Sequence, residues 1–337
     1  MSLAKSIHKL RDGGSLSEAE ARAVFDEIFS GQMPEERIAA FLLALRRKGE
    51  AVSEILGAVK SMRAKAQTIA APQNAIDIVG TGGDAKGTYN ISTAAALVVA
   101  ACGLPVAKHG NRAATSLSGS SDVLAALGLN LESPFEILEQ CLNEANLCFL
   151  FAPRHHPAMR HVAEIRKKLG VRTIFNLLGP LTNPANVAYH LIGVFAAEWL
   201  SPMAEVLRAL GSQAAWITHG RDGMDEITTT DKSDVAALQN DKIQSFVLQP
   251  PDWGILPPSA EELKGADAAA NAAAIIRLLK GEKSAYRDIV CVNAAAALVV
   301  GGKAADMRGG IALAGESLDN GAAENVLQKL INLTNRP

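Results

Sequence analysis

The chain reads as an α/β protein, with a small N-terminal helical domain and a larger α/β domain built on a mostly parallel central sheet. Three observations predict this. Residues 1–66 carry only helical periodicity. From residue 75 onward, short β-prone runs alternate with helical stretches. The composition is that of a folded chain: of 337 residues 48% are apolar and 20% charged, enough apolar surface to offset the entropy of ordering. The net charge of −2 excludes a dedicated non-specific nucleic-acid binder, which needs a basic surface. Aromatics are only 4%, so Ala, Leu, Ile and Val must build the core.

In chain order, Ser17 and Glu20 have capping-box spacing, and Val24, Phe25 and Ile28 follow on one helical face. Gly31 ends that pattern. Pro34 suits the first turn of a helix carrying Ile38, Phe41, Leu42 and Leu45, and a further helix from Ser53 carries Ile55, Leu56, Val59 and Met62. Such short helices cannot form a large core alone, so they must pack on the rest of the chain or on a second copy. Residues 67–74, with Pro72, read as a linker, which divides the chain into domains 1–66 and 75–337. Strands are expected over 76–79, 104–107, 148–152, 190–195 and 214–218. Helices are expected over 92–102, 121–127, 158–169, 200–210 and 293–300, with one closing helix over about 318–333. Residues 235–248, with a polar Gln239-Asn240-Asp241 centre, suggest a hairpin.

The four cysteines are scattered in apolar stretches without a C-x-x-C pair, which fits buried thiols in a reducing compartment. The N-terminal residues have no apolar signal-peptide core, and the longest low-polarity run, 94–107, is too short to span a bilayer. A cytoplasmic protein without membrane association is expected.

Four segments carry the chemistry. The first strand runs into residues 80–84 (GTGGD), where Gly80, Gly82 and Gly83 let backbone N–H groups approach an anion. Thr88 and residues 90–93 (NIST) then open a helix, itself an anion site. The spacing is neither a Walker A loop nor G-x-G-x-x-G, since Ala85 stands at the third glycine position, so the segment suggests a phosphate other than that of ATP or a dinucleotide. After the second strand, residues 108–112 (KHGNR) precede the hydroxyl-rich stretch 115–121, a second polyanion cradle at a successive strand end. Residues 219–227 (HGRDGMDEI) place Asp225 and Glu226 on a glycine-rich loop, a pair suited to Mg²⁺ shared with phosphate oxygens. In the fourth segment, His155 and His156 are adjacent and lack a matching ligand cluster, which speaks against a metal site. Arg166 lies at the edge of the buried helical face marked by Val162, Ile165 and Leu169.

Seven motifs in order, GTGGD, NIST, KHGNR, SGSSDVL, FAPRHHPAMRHV, RTIFNLLGPLTNP and HGRDGMDEI, make the chain closely resemble the anthranilate phosphoribosyltransferases across its whole length. That resemblance implies a nucleoside phosphorylase/phosphoribosyltransferase-like fold. It implies transfer of the phosphoribosyl group of phosphoribosyl pyrophosphate to the amine of anthranilate in tryptophan biosynthesis. It assigns phosphoribosyl pyrophosphate to Gly80, Gly82, Gly83, Asp84, Thr88, Asn90, Ile91, Ser92, Thr93, Lys108, His109, Gly110, Asn111, Arg112, Ala113, Ala114, Thr115, Ser116 and Ser120. Anthranilate falls to Gly80, His109, Asn111, Arg166 and Pro180. Ser92, Asp225 and Glu226 are assigned two Mg²⁺ ions per subunit. Lys108 and Arg112 are the expected catalytic charges, with no strong general base, and a homodimer through the N-terminal helices is implied. Thr115 stands where Ser is common, Leu117 where a basic residue is common, and Tyr89 where Phe is frequent; only Leu117 weakens a phosphate-side contact, and none removes a required function. Two rivals share the architecture: a pyrimidine nucleoside phosphorylase, and a non-catalytic relative that binds nucleic acid. The Asp225–Glu226 pair and residues 108–112 disfavour the first, and the near-neutral charge disfavours the second.

Overall fold

Apolar spacing becomes helix over α1 (Leu3–Arg11), α2 (Glu18–Phe29), α3 (Glu35–Lys48) and α4 (Val52–Ala64). The capping box forms as expected: Ser17 Oγ accepts the Glu20 N–H at 3.2 Å, and the Glu20 carboxylate accepts the Ser17 N–H at 2.8 Å. The computed structural model describes residues 3–112 and 118–336.

Past the linker the chain alternates. It runs through β1 (Ile76–Gly80), α5 (Ile91–Ala101), β2 (Val106–Gly110), α6 (Ser120–Ala126), α7 (Phe135–Ala145), β3 (Leu147–Phe151), α8 (Ala152–His155), α9 (Arg160–Leu169) and α10 (Phe175–Leu181). It continues with β4 (Tyr189–Gly193), α11 (Leu200–Ala209), β5 (Ala214–Gly220), β6 (Ser233–Gln239), β7 (Lys242–Leu248), α12 (Ala268–Leu279), α13 (Ala285–Val300), α14 (Met307–Asp319) and α15 (Ala322–Thr334). The strands form one sheet in the order β3-β2-β1-β4-β5-β6-β7, parallel through β5 and antiparallel thereafter. The expected hairpin is β6–β7, with Asn240 and Asp241 at φ 50° and 61° between Gln239 and Lys242.

Two expectations are corrected. The closing helix, expected from about 318, is α15 and begins at Ala322, after Gly321 at φ 77°, while residues 318 and 319 end a separate helix, α14. The helix read over 293–300 begins earlier, at Ala285, where Ser284 Oγ accepts the Arg287 N–H at 3.3 Å.

The apolar side chains divide into two cores. One lies around α5 and α13, on the side of the sheet that also gathers α7, α12 and α15. The other joins Phe25, Phe41 and Ile55 of the N-terminal helices to Phe175, Met203, Ile192 and Ile217 of α10, α11, β4 and β5. The helices thus pack on the rest of the chain, which satisfies the requirement set by their small isolated core. Parallel strand order reverses between β1 and β4, with β2 and β3 on one side and β5 on the other. In open α/β sheets that reversal marks the crevice, at the carboxyl ends of the strands, in which ligands bind.

Candidate active site

The crevice is floored by two glycines in register, Gly80 and Gly193 at the ends of β1 and β4. A Cβ on either would overlap Asp225, on Gly80 its carboxylate and on Gly193 its backbone carbonyl. Hydrogen therefore takes the place of a side chain at both positions so that the Asp225–Glu226 turn can sit on the sheet. Thr81 ties the two strand exits together: its N–H donates to Gly193 O at 2.9 Å and its Oγ1 accepts the Phe195 N–H at 3.0 Å.

Gly82 and Gly83 take φ 69° and 78°, which turns the backbone sharply after β1. The Gly82 N–H donates to Asp225 Oδ2 at 2.6 Å, so this amide faces a carboxylate. Asp84 also hydrogen bonds Asp225. Burial first, then repulsion from Asp84, raises the Asp225 carboxyl above its ordinary range. Burial and the Asp225 charge do the same to Glu226. Glu226 also accepts the Ser92 backbone N–H at the start of α5.

Lys108 rises from β2 beneath this group, buried, and its Nζ donates to Ile78 O at 2.6 Å and Ser92 Oγ at 3.3 Å. Burial lowers its pKa while Asp77 and Glu226 oppose the shift. Ser92, Lys108, Asp225 and Glu226, read from separate motifs 134 residues apart at their extremes (226 minus 92), thus meet at one place. Ile91 and Thr93 flank Ser92 but bury their side chains, so only their backbone can reach a ligand. The chemistry of the set suits a hard cation: two crowded carboxylates, Asp225 buried and Glu226 half-buried, and a hydroxyl. Among the described residues no group of three His, Cys, Asp or Glu side chains is placed to hold a metal ion by itself.

Thr88 and its neighbours are strapped from above. Thr88 bridges Lys264, Gly265 N–H donates to Gly87 O at 2.8 Å, and Tyr89 N–H donates to Leu263 O at 3.1 Å. On the other side His109 is buried, with Nδ1 3.1 Å from Gly179 O and its ring edge-on to His156 at 5.1 Å. Burial and His156 drive its pKa well down, so the ring is neutral. Gly179 precedes the buried Pro180, so the fold brings those two expected residues together. Arg166 places its guanidinium 5.6 Å from the Phe175 ring centroid, partly buried. Asn111 and Arg112 are exposed at the end of β2; Asn111 Oδ1 accepts the Arg112 N–H at 2.7 Å, and Arg112 lies 5.8 Å from the Phe151 ring. Ser120 Oγ donates to Asn111 O at 3.3 Å across Gly110. Ala113, Ala114, Thr115, Ser116 and Leu117 lie outside the described residues. His155, set aside as a ligand, pins the linker instead, with Nδ1 2.6 Å from Gln67 O.

Sequence reasoning missed Gly193, whose signal was a glycine inside an apolar strand. It also missed Asn293, buried on α13, whose Oδ1 accepts the Ile227 N–H at 3.0 Å and whose Nδ2 donates to Ile227 O at 2.8 Å. That two-way grip holds the residue next to Glu226.

Residues 4–66 match the helical bundle domain of a glycosyl transferase family and residues 72–324 match its α/β domain. Anthranilate phosphoribosyltransferases of Rhodospirillum rubrum and Rhizobium etli are 55% and 56% identical, each over 98% of this chain and over 95% and 97% of their own lengths. Among solved structures, the Thermus thermophilus anthranilate phosphoribosyltransferase superposes with a TM-score of 0.93 at 43% identity, covering 98% of this chain and 99% of that one. The Saccharomyces cerevisiae anthranilate phosphoribosyltransferase in complex with PRPP and Mg gives 0.90 at 28% identity over 98% and 97%. The chain belongs to the anthranilate phosphoribosyltransferase family.

Proposed function

We propose that the protein transfers the phosphoribosyl group of phosphoribosyl pyrophosphate to the amine of anthranilate, releasing pyrophosphate, as a Mg²⁺-dependent step of tryptophan biosynthesis. The observation that carries this reading is the convergence of Ser92, Lys108, Asp225 and Glu226 at the β1–β4 crevice, in a chain 55% identical over nearly its whole length to enzymes of that name.

Ser92, Asp225 and Glu226 are the residues that would hold Mg²⁺, which when bound neutralises pyrophosphate charge. The chain's own residues have three tasks. The first is to bind the phosphates, through the loop after Gly80 and the N-terminus of α5. The second is to stabilise the negative charge that grows on the leaving pyrophosphate as the anomeric bond lengthens, with Lys108 and Arg112. Lys108 is already desolvated and fixed, so little reorganisation accompanies the reaction. The third is to align the amine: Arg166 faces the anthranilate carboxylate, and Asn111, His109 and Pro180 line its approach. An aromatic amine is neutral near neutral pH, so no strong base is required, and the low pKa of His109 is compatible with a passive wall.

We further read residues 1–66 as a domain that forms one wall of the cleft and pairs with a second copy, and the protein as cytoplasmic. In support, no helix among the described residues is long and apolar enough to cross a membrane, and all four cysteines are free thiols. The test is direct: phosphoribosyl pyrophosphate, MgCl₂ and anthranilate are mixed with the protein and anthranilate fluorescence is followed. Mg²⁺-dependent loss is expected, and no loss would overturn the reading.

A further inference from the structure

A buried amide outside every motif presses against the phosphate side of the crevice. Asn271 lies on α12, 2% exposed, and its polar contacts define which end is which. The Ala266 backbone N–H, which can only donate, meets Asn271 Oδ1 at 2.8 Å. Asn271 Nδ2 is therefore the end that points at the crevice, and it donates to Asn90 Oδ1 at 2.9 Å and to Ser118 Oγ at 2.9 Å. The polarity passes on. With its oxygen turned to Asn271, Asn90 offers Nδ2 as its outward end, where its one contact among the described residues is a long 3.5 Å approach to Ser118 O. The backbone of the same residue is steadied from α13: Tyr286 OH donates to Asn90 O at 3.4 Å, and the Tyr286 ring lies 4.5 Å from that of Tyr89.

We infer that Asn271 is a positioning residue that sets the polarity of the Asn90 side chain, so that an N–H donor and not a carbonyl oxygen faces the polyanionic phosphoribosyl substrate. The inference rests on the functional reading above. Without the Asn271 donor, the Asn90 amide keeps only two long contacts among the described residues, Ser118 Oγ donating to its Oδ1 at 3.4 Å and its Nδ2 donating to Ser118 O at 3.5 Å, so turning it over costs little and an acceptor then confronts phosphate oxygens that are themselves acceptors. The Ala266 N–H, outside the site, fixes which end of Asn271 supplies that short donor contact.

Asn271→Asp is the informative substitution: it is isosteric, keeps the acceptor for Ala266, and turns an acceptor toward Asn90 and Ser118. Binding of phosphoribosyl pyrophosphate with MgCl₂ is measured by calorimetry on the full-length protein without anthranilate, for wild type, Asn271→Asp, Asn90→Ala and the double variant. Asn271→Asp is expected to weaken binding by about tenfold or more in the wild-type background and by less than about twofold in the Asn90→Ala background. The anthranilate KM at saturating phosphoribosyl pyrophosphate should stay within about twofold. Asn271→Ala removes the donor without adding charge and should give the same pattern with a smaller loss, which serves if the aspartate variant is poorly soluble. Undiminished binding in these variants, or an equal loss with and without Asn90, would overturn the role of Asn271 while leaving the functional reading intact. Failure of the wild-type protein to bind would remove both.

Discussion

Replacing Gly193 by Ala adds a single methyl group, and the structure says where it goes. The new Cβ would overlap the Asp225 carbonyl and stand 3.2 Å from the Glu226 nitrogen. The turn would have to retreat by roughly 1.5 Å before the contact became one that side chains tolerate, and a displacement of about 1 Å in a catalytic group costs on the order of 10²-fold. The turn cannot give way cheaply, because Asn293 grips Ile227 from both sides and the Gly82 N–H holds Asp225. The expected result is a kcat/KM at least about 10²-fold lower, equivalent to about 2.7 kcal/mol of transition-state stabilisation, in the fluorescence assay with MgCl₂. Gly315→Ala is the matched control. It lies inside α14, has no positive φ, and its added Cβ would meet only Arg287 Nη2 at an ordinary 3.6 Å. That variant should keep full activity and gain about 0.5–1 kcal/mol from helix propensity. If Gly193→Ala retained activity within about threefold of wild type, the claim that the glycine pair exists to seat Asp225 would fail.

Three further outcomes follow from the same geometry. The raised pKa values of Asp225 and Glu226 mean that the folded protein holds protons there which the unfolded chain releases at lower pH. The pair's contribution to metal-free stability is therefore present in acid and lost as pH rises through the raised range. Mg²⁺ should reverse this, so the rise in Tm on adding MgCl₂ should be larger near pH 9 than near pH 6, and calorimetry in two buffers should show proton release; a pH-independent rise would contradict it. Glu54 is buried and accepts the Leu16 N–H at 2.9 Å, the Ala51 N–H at 2.7 Å and Lys48 Nζ at 2.9 Å. Glu54→Ala should cost about 3 kcal/mol by denaturant unfolding, the lower end for a broken buried pair because Lys48 keeps Gly49 O and Ser15 Oγ. Arg166→Ala should raise the anthranilate KM by about 10–100-fold with kcat little changed, and an unchanged KM would remove Arg166 from the substrate contacts.

The legible parts of the fold and site were those whose information is local. A capping box, a glycine turn after a strand and a run of hydroxyls before a helix each declare themselves within a few residues, as 17–20, 80–84 and 90–93 do. The parts that escaped depend on distant partners. Asn271 and Asn293 are ordinary polar residues in alanine-rich helices until α12 and α13 dock, and their partners lie 181 and 66 positions away. Gly193 looks like a weak point in a strand until Asp225 arrives above it. The closing helix starts at Ala322 and not near 318 because Leu318 belongs to the end of α14 and Gly321, at φ 77°, stands between the two helices. His155 is another residue whose partner is distant, since its Nδ1 meets the carbonyl of Gln67, 88 positions away in the linker.

The shared second core also constrains how the molecule moves. Phe25 sets its ring edge against that of Phe175 on α10, 6.0 Å between centroids, and Phe41 and Ile55 share the same core, so a wide hinge swing of the N-terminal helices away from α9, α10 and α11 would strip apolar surface into water. Motion of that wall is thereby confined to small shear between packed helices, as side chains slide without losing contact. Access to the crevice then falls to segments outside both cores, such as residues 82–87 after β1.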